Sequence, residues 1–180
     1  MDPTLWTLGH STRSIDEWIG LLRGHGILLL VDVRTIPRSR YNPQFNMDSL
    51  ARSLEDAGIH YHHLPALGGL RKPSKDSLNM GWRNKSFRGY ADYMQTNEFW
   101  NALGDLTARS LSQPSGIMCA EAVPWRCHRS LIADALVTQG WNVCHIMSAT
   151  KTDRHRLTTF ATVENGMLHY PDPEATSRLF

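Results

Sequence analysis

The chain is poor in cysteine, with Cys119, Cys127 and Cys144 the only three in 180 residues. An odd number, with no pair at Cys-x2-Cys spacing, excludes an even disulfide framework and the commonest structural zinc arrangement. A His-Glu-x2-His helix is missing too. Long apolar runs are absent: the longest, Ile27 to Val31, falls far short of the roughly 20 residues that span a bilayer, so no membrane partner is expected. The opening Met1-Asp2-Pro3-Thr4 has no basic region and no long apolar core behind it. With so few cysteines, this points to a reduced, cytoplasmic setting. Net charge is only +2, too little to announce a nucleic-acid binder, so local clustering of charge matters more than the total. The chain shows no internal repeat and no low-complexity segment.

What the chain does have is alternation of strand-like and helix-like segments. Leu5 to Leu8 is a strand candidate that breaks at Gly9-His10-Ser11-Thr12, and Ser14 with Glu17 matches a capping box ahead of the stripe Ile15, Trp18, Ile19, Leu22. Ile27 to Val33 is apolar on both faces, as a central parallel strand is, and Asp32 and Arg34 close it. Asn46 is placed to cap a second helix running to Gly58, and the strand Ile59 to Leu64 follows. Periodicity then disappears from Pro65 to Ser86. This basic loop, at about 65–88, predicts a functional flap or a disordered segment. Helical spacing returns at Phe87, Tyr90, Ala91, Met94 and again at Phe99, Trp100, Leu103, Leu106. A buried strand, Gly116 to Ala120, leads through a polar turn to Leu131, Ile132, Ala135 and Leu136, and Trp141 to Ile146 is a further strand. Asn165-Gly166 between Phe160–Val163 and Met167–Tyr170 signals a hairpin. The pattern predicts a single α/β domain over residues 1–180, with a largely parallel sheet, helices on both faces and a small C-terminal β-hairpin. Strand order is not readable from it.

The stretch Cys119-Ala120-Glu121 to Cys127-His128-Arg129 gathers two sulfurs, a carboxylate, an imidazole and guanidiniums at one strand-to-helix turn, the place where open α/β sheets bind ligands. Three chemistries suit it. A thiolate is favoured at a helix N-terminus beside cations, which makes Cys127 the candidate nucleophile and Cys119 its resolving or ligating partner; the plainer alternative is that both cysteines simply pack. A metal or cofactor could draw on Cys119, Cys127 and a histidine among His10, His62, His63 and His128, although no spacing supports it independently. Because His62 and His63 are adjacent in a strand, at most one faces a given site. Anion recognition gathers the most residues: the Gly9-to-Thr12 turn with Ser11, Arg34 and Arg38 beyond one strand, and Arg126 and Arg129 beyond another. If those strands are parallel neighbours, the cations converge on one edge of the sheet. Asp32 and Glu121 each close an apolar run, so each is expected to be partly desolvated and available either as a general acid or base or as an arginine's partner. His10 is a further proton-transfer candidate. The basic segment Arg71 to Arg88, with Trp82 and Phe87 interleaved, has the composition of a single-stranded nucleic-acid contact, or of a charged flap over a small ligand.

Four separated pieces carry a resemblance: Thr7-Leu8-Gly9-His10-Ser11; Val31-Asp32-Val33-Arg34 with Pro37 and Ser39; Leu64 to Gly69; and Cys119-Ala120-Glu121 with Cys127-His128-Arg129. In this order they resemble the bacterial and archaeal family known as domain of unknown function 488, over roughly residues 5–150. The resemblance implies an α/β fold and a polar site, and it implies no activity. From the residues themselves the expectation is an enzyme whose site lies at the carboxyl edge of the sheet. Its substrate would be anionic, a phosphate-bearing small molecule, nucleotide or nucleic acid. Cys127, His128, His10, Glu121 and Asp32 would serve the chemistry, and Ser11, Arg34, Arg38 and Arg129 would hold the anion. A non-catalytic nucleic-acid-binding module and a metal or cofactor protein are the alternatives. No cofactor is named by any motif.

Overall fold

The computed structural model describes residues 2–176. Strands and helices alternate as β1 (Thr4–Gly9), α1 (Ile15–Gly24), β2 (Leu29–Asp32), α2 (Met47–Asp56), β3 (His60–His63), α3 (Lys85–Tyr93), α4 (Asn97–Ser112), β4 (Ser115–Cys119), α5 (Arg129–Thr138) and β5 (Asn142–Ile146). The short strands β6 (Thr152–Arg154), β7 (Thr162–Glu164) and β8 (Met167–His169) and a last turn of helix, α6 (Pro173–Thr176), complete the described chain. Six strands form one sheet in the order β3-β2-β4-β1-β5-β6, and β7-β8 is a separate antiparallel pair. The first five strands of that order run parallel and β6 is antiparallel to β5. The expected mostly parallel α/β sheet with a C-terminal hairpin is what forms, and Asn165 and Gly166 turn the hairpin at positive φ (52° and 76°).

Alternation along the strands divides the core in two. Leu8, Leu30 and Met118 face α1 and α2, packing with Trp18, Phe45 and Leu50. Leu5, Val31, Ile117 and Val143 face α3, α4 and α5. Helix α5 is buried from Arg129 to Leu136, well beyond the expected stripe, because the chain after β5 covers its outer side: Leu157, Phe160, Leu168 and Tyr170 all pack into the same cluster.

Several local expectations are corrected. The second strand is shorter than its apolar run, because both neighbours begin their pairing opposite Leu29. Asn46 stands at the start of α2, but its side chain caps no helix N–H; it accepts the Ser39 N–H at 2.7 Å and closes the preceding loop. The loop after Pro65 is ordered and pinned to the fold. Asp92 of α3 accepts from Ser74 N–H, Ser77 Oγ and Asn79 Nδ2, and buried Asn79 accepts the Tyr170 N–H at 3.0 Å. Its aromatics turn inward, with Trp82 packed edge-on against Phe87 and Phe160 at 5.1 and 5.0 Å between ring centres.

Candidate active site: a thiol pair on a buried arginine

With β4 between β2 and β1, the carboxyl ends of these three neighbouring strands open side by side. A cleft of about 340 Å³ lies there, with Cys119, Cys127 and His128 in its wall, Arg38 and Arg126 among its lining cations, and Ile36, Leu70 and Tyr90 supplying apolar surface. The turn beyond β4 crosses tightly over β1. A Cβ on Gly9 would lie 1.8 Å from the Glu121 carbonyl oxygen, so only glycine permits that crossing. The His10 and Ser11 N–H groups donate to Cys119 and Ala120 carbonyls at 3.0 Å each. These two N–H groups are therefore not free to bind an anion, and the turn prolongs the β1–β4 ladder.

Arg129, the first residue of α5, is 1 % exposed. Among the described residues no carboxylate lies within ion-pair distance of it. Its Nε donates to Cys119 Sγ at 3.2 Å, its Nη1 to Thr7 Oγ1 at 3.1 Å, and its Nη2 to the Glu121 carbonyl at 2.6 Å. Its backbone N–H points at Cys127 Sγ, 3.5 Å away. The two sulfurs are themselves 2.7 Å apart, and all three cysteines are free thiols. A buried guanidinium without a counter-charge costs several kcal/mol, and the acceptors around Arg129 that are able to ionise are these two thiols. Burial alone would push Cys127 up, but the hydrogen bond from Cys119 and the Arg129 charge outweigh it and bring the thiol down to about 6. Cys119, which donates that hydrogen bond and is itself buried, is pushed up. The opposed shifts dispose the pair to give up one proton and keep the other beside the cation.

His128 sits on the other side of Cys127. Its Nε2 bonds the Val33 carbonyl at 3.1 Å, which makes Nε2 the protonated nitrogen and leaves Nδ1 as an acceptor 3.6 Å from Cys127 Sγ. Burial lowers its pKa, keeping the ring neutral. Cys127 thus has an imidazole acceptor beside it as well as a cation. Among the described residues no group of three or more His, Cys, Asp or Glu side chains is arranged to hold a metal ion.

Asp32, Arg34 and His10 lie on the opposite face. Asp32 is fully buried. It accepts Arg34 Nε at 2.9 Å, Arg34 Nη2 at 2.7 Å and the Tyr61 hydroxyl at 2.7 Å. Arg34, also buried, gives its remaining contacts to the Phe45 carbonyl (2.8 Å) and to His10 Nε2 (3.5 Å). His10 stacks on Phe45 at 4.3 Å, and burial lowers its pKa. Asp32, Arg34 and His10 thus form one knot under α1 and α2, separated from the sulfurs by the sheet, although Arg34 also touches the cleft wall. Glu121 is exposed, against the expected desolvation, because the tight turn turns it towards solvent at the cleft. Ser11 is half-buried in left-handed backbone, φ 48°. Arg38 and Arg126 are exposed at the rim. His62 and His63 do point apart: His62 meets Asp105 at 3.4 Å, and His63 meets the Arg34 carbonyl at 2.8 Å.

Residues given no chemical role by the sequence reading are Thr7, Tyr61, Tyr90, Asp134, His145 and His155. Asp134 lies off the apolar stripe expected of its helix, so nothing marked it as buried.

These features describe an α/β protein with a parallel sheet and a buried thiol pair at its carboxyl edge. The chain belongs to the family described as domain of unknown function DUF488, whose model matches residues 14–136. Comparison with the curated proteins and with the solved structures gave no match. No helix among the described residues is long and apolar enough to cross a membrane.

Proposed function

We propose that this protein is a thiol-dependent enzyme in which Cys127 is the nucleophile and the substrate is a small organic anion bearing a phosphate or carboxylate group. The observation that carries the reading is Arg129: buried, without a carboxylate, and bonded to both cysteines. Such a cation needs a thiolate beside it, and a thiolate is the reactive form of cysteine. The cleft is the size of a small-molecule site. Its exposed Arg38 and Arg126 suit an anionic group, and Ile36, Leu70 and Tyr90 suit an apolar body.

In this reading the Cys127 thiolate donates its electron pair to the electrophilic atom of the substrate. The bond to the leaving group breaks, and the leaving group departs with that bond's electrons. His128 Nδ1 accepts the proton whenever Cys127 enters as a thiol, and the Cys119 thiol keeps the resting thiolate in place by its hydrogen bond. A reducing compartment, such as the cytoplasm, suits a site that works as thiols. Nucleic acid is a weaker candidate as substrate or partner, since Trp82 and Phe87, which would stack on bases, are packed against the core. Asp32, His10 and Ser11 have no part in the step.

The test is the pH dependence of Cys127 alkylation in a Cys144→Ser chain, with neutral iodoacetamide and anionic iodoacetate compared. A midpoint near 6, with iodoacetate favoured over its ratio for a free thiol, supports the reading. A midpoint at or above the ordinary cysteine value of about 8.5 overturns it.

A further inference from the structure

Behind Arg129 runs a chain of buried polar groups that the step above does not use. Thr7 Oγ1, which accepts Arg129 Nη1, is 2.7 Å from His145 Nδ1. His145 Nε2 is 2.9 Å from His155 Nδ1, and His155 Nε2 is 2.8 Å from Asp134 Oδ1. The chain crosses the fold from β1 to its register partner in β5, then to the residue after β6, and returns to α5. Thr7, Asp134 and His145 are 0 %, 0 % and 5 % exposed.

The proton positions along it follow from one end. Asp134 accepts from Thr158 N–H (3.0 Å), Thr158 Oγ1 (2.7 Å) and the Tyr170 hydroxyl (2.8 Å) as well as from His155. Four donors fill a carboxylate's acceptor sites, so Asp134 is ionised and His155 carries its proton on Nε2. In the state where His155 carries no proton on Nδ1, that nitrogen is an acceptor and His145 donates to it from Nε2. The His145 Nδ1 is then an acceptor too, and the Thr7 hydroxyl donates to it. The Thr7 oxygen is left with lone pairs for Arg129. Every hydrogen bond points the same way, from the guanidinium towards Asp134, and bonds in such a chain polarise one another.

We propose that Asp134, His155, His145 and Thr7 are a positioning array that holds the Arg129 guanidinium on the Cys119 and Cys127 sulfurs. The array supplies Arg129 with an oriented acceptor whose own hydrogen bonds are fixed from Asp134. Burial first, then the His155 and Arg129 charges, hold His145 down to about 3, so it stays a neutral link across the working range. The groups facing Arg129 are Cys119 from β4, Cys127 and His128 from the turn, Thr7 from β1 and His145 from β5. Tyr90 of α3 and Arg71 face the thiol side. Thr7, His145, His155 and Asp134 do not line the Cys127 cleft; they act through the guanidinium.

The inference rests on the thiolate reading, and one experiment separates the two. In the Cys144→Ser chain, the alkylation profile of Cys127 and thiolate absorbance are measured for Thr7→Val, Thr7→Ser and His155→Gln, with thermal melting as the check on folding. Thr7→Val is close to isosteric and removes the oxygen. Its midpoint is expected to rise by about one unit, which slows alkylation below the midpoint about tenfold. Thr7→Ser restores the hydroxyl and is expected to stay within about twofold of the parent. His155→Gln keeps a donor for Asp134 but drops the contact to His145, and is expected to raise the midpoint by a smaller amount. If the parent midpoint is ordinary, the thiolate reading fails. If the parent is depressed and folded Thr7→Val and His155→Gln both keep its profile, the array is only structural and the proposal is overturned. If Thr7→Val does not fold, the His155→Gln profile decides.

Discussion

The two arginines buried among the described residues sit on opposite faces of one sheet edge and are neutralised in different ways. Arg34 has a permanent counter-ion: Asp32 holds it by two hydrogen bonds, and the Tyr61 hydroxyl completes the carboxylate. Arg129 has sulfur, hydroxyl and carbonyl acceptors only. A carboxylate stays ionised at any pH near neutrality, so the Arg34 knot is fixed structure. A thiolate gains or loses its proton or its electrons, so the Arg129 cluster is able to change state. The same residue type marks architecture on one face and, in the proposed reading, chemistry on the other.

Breaking each arginine's partner is the most direct way to test this contrast. Asp32→Ala strands a buried guanidinium and is expected to cost about 3–5 kcal/mol of stability, read from urea unfolding, with the Cys127 alkylation midpoint little changed. Arg129→Met removes the cation from thiols that are free to take up a proton. It is expected to lift the midpoint from about 6 towards the ordinary thiol range, about a hundredfold loss of reactivity at acid pH, with a smaller loss of stability than Asp32→Ala. Equal effects on stability, with no change in reactivity, would erase the difference between the two faces.

A second perturbation removes the partner sulfur. Cys119→Ala takes away the hydrogen bond that stabilises the Cys127 thiolate but leaves Arg129, so the midpoint is expected to rise by about one unit.

Next comes stability against pH. Cys127 is depressed in the folded state to about 6 from an ordinary 9.0. Its contribution is therefore full above the unfolded value and is lost as pH falls from about 9 towards 6, at no more than about 1.4 kcal/mol per unit. The pKa of His145 is lowered from 6.5 to about 3, and those of His10 and His128 are also lowered. These histidines reduce stability further as pH falls below 6.5, where the unfolded chain binds protons that the folded one does not. Cys127→Ser should flatten the upper limb and leave the lower one, a difference that unfolding midpoints at pH 5, 7 and 8.5 would resolve. The smallest effect is expected at the rim: Arg38→Ala or Arg126→Ala should lower the iodoacetate preference about two- to threefold and make it less sensitive to salt, since exposed charges are screened.

Much of the layout was legible before any coordinates. Apolar periodicity is local, so the order of strands and helices could be read along the chain. Short turns after apolar strands placed Cys119, Cys127 and Arg129 at one carboxyl edge. What could not be read was long-range. Nothing in Leu29 to Asp32 states that β4 lies between β2 and β1, yet that insertion sends Asp32 and Cys119 to opposite faces. Strand β6 was invisible because Thr152-Asp153-Arg154 is a polar edge segment with no buried face to pattern. The chain from Thr7 to Asp134 joins residues 138, 10 and 21 positions apart, a separation over which a single sequence carries no pairing information.

Gly9 sets a clearance. The Glu121 carbonyl oxygen occupies the space where any other residue would carry a methyl group, and that same oxygen receives Arg129 Nη2 at 2.6 Å. The oxygen is thus a spacer gripped between the end of β1 and the guanidinium. A side chain at position 9 would displace it and carry the cation's seat with it. The tolerance of the thiol site is therefore machined by an atom that is missing from a neighbouring strand.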